Sequence, residues 1–145
     1  MAAAMPESTL QDEAALQGFL ADVAGPEGVA IRTLAHAWQG GGGGIQVGTV
    51  AVRLTAGKPD GPFTAATLHA PRGGQGARLE LCRVLLERHG VRPDAWVHWS
   101  DEFADLAHHG FDAAAKYPTL PLAPLSATEL ARLVTGLRDL ARLVA

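Results

Sequence analysis

Between Thr64 and Gly90 the residues spell out a strand, a glycine-rich turn and an amphipathic helix in immediate succession, and no other stretch constrains the fold as tightly. The apolar run over residues 63–70 predicts a strand, and Pro71-Arg-Gly-Gly-Gln-Gly76 predicts a turn. Leu79, Leu81, Leu85 and Leu86 predict a helix over residues 77–89 that stops at Gly90. A strand turning directly into a helix aims backbone N–H groups and the positive end of the helix dipole beyond the sheet edge. Gly73, Gly74 and Gly76 allow positive φ and close backbone approach, so several amides can converge on one oxyanion. Arg78 precedes Leu81, Cys82 and Leu85 by three, four and seven residues, which sets it on the sheet-facing side of the predicted helix. In that first turn a cation opposes the dipole by about 0.3–1 kcal/mol, a conflict that a bound anion removes. The candidate ligand-binding residues are therefore Arg72, Gly73, Gly74, Gln75, Gly76 and Arg78, and the candidate ligand is a small anion. The alternative is that Arg78 snorkels outward or pairs with Asp101 or Glu102 while the glycines only turn the chain.

The remaining elements are placed by capping and periodicity. Ser8 and Gln11 form a capping-box pattern, and Leu10, Leu16, Phe19, Leu20 and Val23 supply a stripe for a helix over about residues 9–24. Residues 1–7 have nothing to hold them and are expected to be disordered. Val29–Trp38 and Ile45–Thr55 are rich in β-branched and apolar residues and flank Gly40–Gly44, which predicts a hairpin with the glycines as its tip or as a flap over a ligand. The Lys58–Pro62 turn leads to the strand over 63–70, and Ala95–Ser100 predicts a fourth strand, parallel to the third. A short helix follows over Asp101–His109, closed by Gly110. Residues 117–125 form a proline-rich connection, and Ser126 with Glu129 caps a long amphipathic helix over 127–144. The expected fold is a single α+β domain: a mixed, mostly antiparallel four-stranded sheet with helices packed on it.

At 145 residues, 48% hydrophobic and 19% charged, the chain is long enough to bury a core without covalent staples. A net charge of −3 gives no field attractive to nucleic acid or anionic lipid. A single cysteine, Cys82, cannot form an internal disulfide, and its leucine-rich surroundings predict a small buried residue. The opening residues lack the basic and apolar regions of a secretory signal, and no run is long enough to span a bilayer. The expectation is a cytoplasmic protein with no nucleic-acid or membrane partner.

The order of elements over residues 29–111, with a glycine-rich turn before a helix and a later segment ending Gly110-Phe111, resembles that of GNAT acetyltransferases. Gly74-Gln-Gly-Ala77 matches part of that family's pyrophosphate-binding turn, although Pro71 stands where the family has glutamine or arginine. Leu106 stands where the family often carries a tyrosine acid, and the family's last hairpin is missing. The resemblance implies acyl-CoA as cofactor, bound on the turn's amides, with His98 or His108 as the proton-transfer group. Without it, no cofactor is expected.

Two further patterns carry chemistry. Asp101, Asp105 and His108 share one helical face at i, i+4 and i+7 and are the candidate metal ligands. Acids opening a helix and histidines closing it are also what the dipole favours, which explains the pattern with no metal. Trp96 and Trp99, on opposite faces of the predicted fourth strand, are core if helices cover both sides and pocket lining if one side is open. The leucines of the C-terminal helix repeat over two heptads and suit either its own sheet or a homodimer partner. The leading functional expectation is a binding or assembly module without catalysis; the alternative is a GNAT-like acyltransferase.

Overall fold

The computed structural model describes residues 7–23, 25–57 and 61–144. The start of the expected disordered N-terminus and most of the Lys58–Pro62 turn lie outside the described residues. The elements are α1 (Glu7–Leu20), α2 (Gly25–Gly40), β1 (Gly44–Val47), β2 (Ala51–Ala56), β3 (Phe63–His69), β4 (Arg78–Leu81), α3 (Arg83–Arg88), α4 (Pro93–Asp101), a 3-10 helix (Ala104–His109), β5 (Thr119–Pro121) and α5 (Ala127–Val144). Among the described residues no helix is long and apolar enough to cross a membrane.

The architecture is α+β, but the sheet has five strands rather than four and is antiparallel throughout, in the order β1-β2-β3-β4-β5. Its register sorts the side chains into rows. Val47, Val52, Leu68, Leu79 and Leu120 stand side by side across all five strands, and all but the half-buried Val47 are fully buried. The adjacent row is polar: Gln46, Arg53, Thr67, Glu80 and Thr119. Alternation between a buried and a wet face is the expected result of period-two side chains in a sheet covered on one side. Ala65 is the extra residue where the β2–β3 register shifts beside Leu54 and Thr55. Both edges are short, with four residues in β1 and three in β5, the latter ending at Pro121.

Three segments differ from what their composition predicts. Residues 29–38 are helical, not a strand: Ile31, Leu34, Ala35 and Trp38 recur at i, i+3, i+4 and i+7 and are all buried in α2. The glycine run therefore ends a helix instead of tipping a hairpin. Gly43 has a packing reason, since a Cβ there would meet Trp38 Nε1 at 2.1 Å. That indole N–H donates to the Thr55 carbonyl at 2.8 Å, tying α2 to β2.

Residues 95–100 are also helical. Pro93 sits at the start of α4, Trp96, Trp99 and Ser100 are buried, and Val97 and His98 are exposed. The two tryptophans thus share one face and are core. Trp96 Nε1 donates to the Ala113 carbonyl at 3.1 Å and Trp99 Nε1 to the Gly136 carbonyl at 2.8 Å. Finally, the stretch expected as one helix over 77–89 is strand β4 followed by the short α3. Arg78, Leu79, Glu80 and Leu81 alternate half-buried and buried, and the helix begins only at Arg83.

α2 lies over β1 and β2 and packs on α5, α1 reaches β1, and α3 reaches β3. The capping box of α5 forms as predicted: Ser126 Oγ accepts the Glu129 N–H at 3.1 Å and Glu129 Oε1 accepts the Ser126 N–H at 2.9 Å. Leu133, Leu137 and Leu140 are buried in the chain's own core. Phe103 fits over Gly136, where a Cβ would lie 2.2 Å from its Cζ.

Candidate functional site

The glycine-rich corner is the tip of the β3–β4 hairpin, and no helix starts there. Arg72 and Gln75 exchange both backbone hydrogen bonds, at 2.9 and 3.0 Å. Gly73 and Gly74 between them have φ of +61° and +82°, the positive pair that a type I′ hairpin turn demands. The glycines serve turn geometry, and the dipole conflict expected at Arg78 is absent because Arg78 is a strand residue. One donor of the corner is already taken: the Ala77 N–H donates to Glu27 Oε2 at 2.5 Å. Gly76 is close to the same oxygen, since a Cβ there would lie 3.0 Å from it. A helix N-terminal amide cradle of the kind the GNAT resemblance implies for acyl-CoA is therefore not formed at residues 71–78.

What the corner does border is a cleft of about 770 Å³ between α1, the start of α2, the β1–β2 turn and Ala70–Arg72. Phe19, Val23, Val47 and Val50 give it an apolar lining. Asp22, Glu27 and Arg72 bring charge to the same space. No hydrogen bond or ion pair engages the Arg72 guanidinium among the described residues. Of the six predicted ligand-binding residues only Arg72 lines the cleft; Gly73, Gly74, Gln75 and Gly76 form or follow the turn. Arg78 pairs in register with His69 and Pro121 on the sheet. The acidic and apolar lining was missed because it comes from helices and from a turn distant in sequence. The one signal available was Glu27 at the start of α2, hidden by the strand reading of the residues after it.

The predicted metal set also separates. Asp101 is exposed, and Asp105 is engaged by Arg132 through two hydrogen bonds of 2.6 and 2.9 Å. The Arg132 guanidinium holds the Asp105 carboxyl below its usual range, and Asp105 raises Arg132 in turn. His108 instead joins His109 and Glu129, with one ligand atom from each lying within 4.8 Å of the others. The Ser126 N–H, and less strongly His109, lower the Glu129 carboxyl from its ordinary value. Neither His98, exposed on α4, nor His108 lines the cleft.

Cys82 is buried, and desolvation, aided by the Glu80 charge, pushes its thiol up, away from the thiolate that a nucleophile requires. His69 Nε2 is shielded from solvent without a hydrogen bond, 3.7 Å from Glu80 Oε1. Comparison with known protein families, with curated proteins and with solved structures finds no match.

Proposed function

We propose that the chain is a cytoplasmic binding module that holds a small zwitterion of amino-acid chemistry in the α1–α2 cleft. In this reading the apolar body of the ligand rests on Phe19, Val23 and Val50. Its carboxylate meets Arg72, and its ammonium meets Asp22 and Glu27. The supporting observation is the combination of an unengaged guanidinium and two carboxylates around an apolar-lined cleft of about 770 Å³. That volume is within the roughly 300–1,000 Å³ typical of small-molecule sites. Binding rather than catalysis is favoured because both histidines predicted for proton transfer lie off the cleft. A single buried cysteine and a net charge of −3 support a reducing compartment and argue against nucleic acid as partner.

The test is thermal denaturation with L-phenylalanine, its N-acetyl derivative and its amide, each at millimolar concentration. A ligand at a hundred times its Kd adds about 2.7 kcal/mol of stability. The free amino acid should raise the melting point, and each derivative, lacking one charge, should raise it less. Arg72→Ala should erase the difference between the acid and the amide. Absence of any shift with L-phenylalanine, L-leucine and L-methionine overturns the reading, as does an undiminished shift in both Arg72→Ala and Asp22→Asn.

A further inference from the structure

We propose that His108, His109 and Glu129 form a binding site for a zinc-class divalent cation, with three protein ligands and a fourth position open to solvent. None of these residues lines the cleft, so the site stands or falls independently of it. His108 Nδ1 is hydrogen-bonded to the Asp105 carbonyl oxygen, which can only accept, so Nδ1 carries the hydrogen. The neutral ring then presents the lone pair of Nε2, and that atom lies 3.7 Å from Glu129 Oε2. His109 Nε2 approaches the same oxygen at 3.1 Å. One carboxylate oxygen thus faces two imidazole nitrogens. The two rings lie beside each other, their centroids 3.8 Å apart, so both nitrogens and the carboxylate oxygen border one space that a cation fits.

The geometry suits such an ion. Zinc–ligand distances of about 2.0–2.1 Å place the ligand atoms of a tetrahedral site roughly 3.3 Å apart. The separations from Glu129 Oε2, 3.1 and 3.7 Å, bracket that value. Two imidazoles and a carboxylate favour zinc, cobalt or nickel over calcium or magnesium, which take oxygen ligands. The backbone carbonyl on His108 Nδ1 is the outer partner that orients a ligating histidine.

The surroundings hold the ligands in place. Glu129 Oε1 is fixed by the Ser126 N–H at 2.9 Å, leaving Oε2 for the ion. Arg132, one turn along α5, grips Asp105 and the Glu102 carbonyl, which pins the histidine-bearing segment to α5. The His109 and Glu129 side chains are 14% and 17% exposed while that of His108 is 60% exposed. The site is therefore shielded on two sides, with an entrance for an ion and a water on the third.

The experiment uses the full chain stripped with a chelator and titrated with Co²⁺ or Zn²⁺ alone. Co²⁺ should bind one-to-one with the intense visible absorption of tetrahedral coordination, and Zn²⁺ should displace it and raise the melting point. His109→Gln and Glu129→Gln should abolish uptake, and Cys82→Ser should leave it unchanged. Imidazole nitrogen NMR of the wild type needs no variant: Zn²⁺ should shift Nε2 of His108 and His109 and leave His36, His69, His89 and His98 unmoved. Absence of a metal-dependent shift at the pair, or uptake that survives both ligand variants in a folded protein, overturns the proposal and leaves a proton-bridged ion pair.

Discussion

Glu27 and Ala77 are fifty residues apart and joined by one hydrogen bond, from the Ala77 N–H to Glu27 Oε2, that ties the first turn of α2 to the turn end of the β3–β4 hairpin. The bond is partly buried, and the amide has no other acceptor among the described residues. Removing the carboxylate leaves that donor unsatisfied, at a cost of about 1–3 kcal/mol. Glu27→Ala should therefore lower the urea midpoint, with Glu27→Gln losing less, and hydrogen exchange at Ala77 should accelerate more than at Leu79 in the adjoining strand β4. A Glu27→Ala midpoint equal to that of the wild type would contradict a structural role for this bond.

Gly136 occupies the interior of α5, where alanine ordinarily stabilises a helix by about 1 kcal/mol. Here the added Cβ would lie 2.2 Å from Phe103 Cζ, and Phe103 is itself packed against Trp99 with ring centroids 4.9 Å apart. Overpacking of this kind costs about 1–3 kcal/mol, which outweighs the helix propensity. Gly136→Ala should lower the melting point. In a Phe103→Leu background the same substitution should cost less, and equal losses in both backgrounds would place the strain elsewhere.

Acid should loosen the contact between the 3-10 helix and α5. Asp105 and Glu129 both have folded-state values below their ordinary 3.8 and 4.5, held down first by Arg132 and by the Ser126 N–H respectively. A depressed carboxylate contributes its full stability above the unfolded value and loses it as pH falls through the folded one. Stability should accordingly drop as pH falls below about 4.5, where the unfolded chain takes up protons first. Urea midpoints taken between about pH 5 and pH 2.5 measure this, and Arg132→Met should flatten the dependence on its Asp105 part. An unchanged slope in that variant would assign the acid sensitivity to other carboxylates.

Local chemistry that acts within a few residues was legible in the chain. Ser126 and Glu129 cap α5 as their spacing predicts, Gly110 closes the 3-10 helix with a φ of +88°, and β3 runs over Phe63–His69. Two of the three departures share one cause. At Val29–Trp38 and Ala95–Ser100 the β-branched and aromatic content favours a strand, but Ile31/Leu34/Ala35/Trp38 and Trp96/Trp99/Ser100 stand at helical intervals, and spacing prevails. At Arg78–Leu81 the opposite holds: a four-residue alternation lies within a longer leucine stripe that mimics a helix. Of the candidate site residues, Arg72 lines the cleft and His108 stands beside His109, while the groups that face them, Asp22, Glu27 and Glu129, come from elsewhere in the chain. Those contacts arise from packing between segments 20 to 50 positions apart, which no local pattern encodes.

The abbreviated outer strands have a consequence for how this molecule behaves at high concentration. A neighbouring chain can extend a sheet only where a run of unpaired amides and carbonyls is presented, and β1 provides four residues while β5 provides three, the last of them a proline with no N–H. Strand-by-strand polymerisation into fibrils therefore has little native foothold and must wait for partial unfolding.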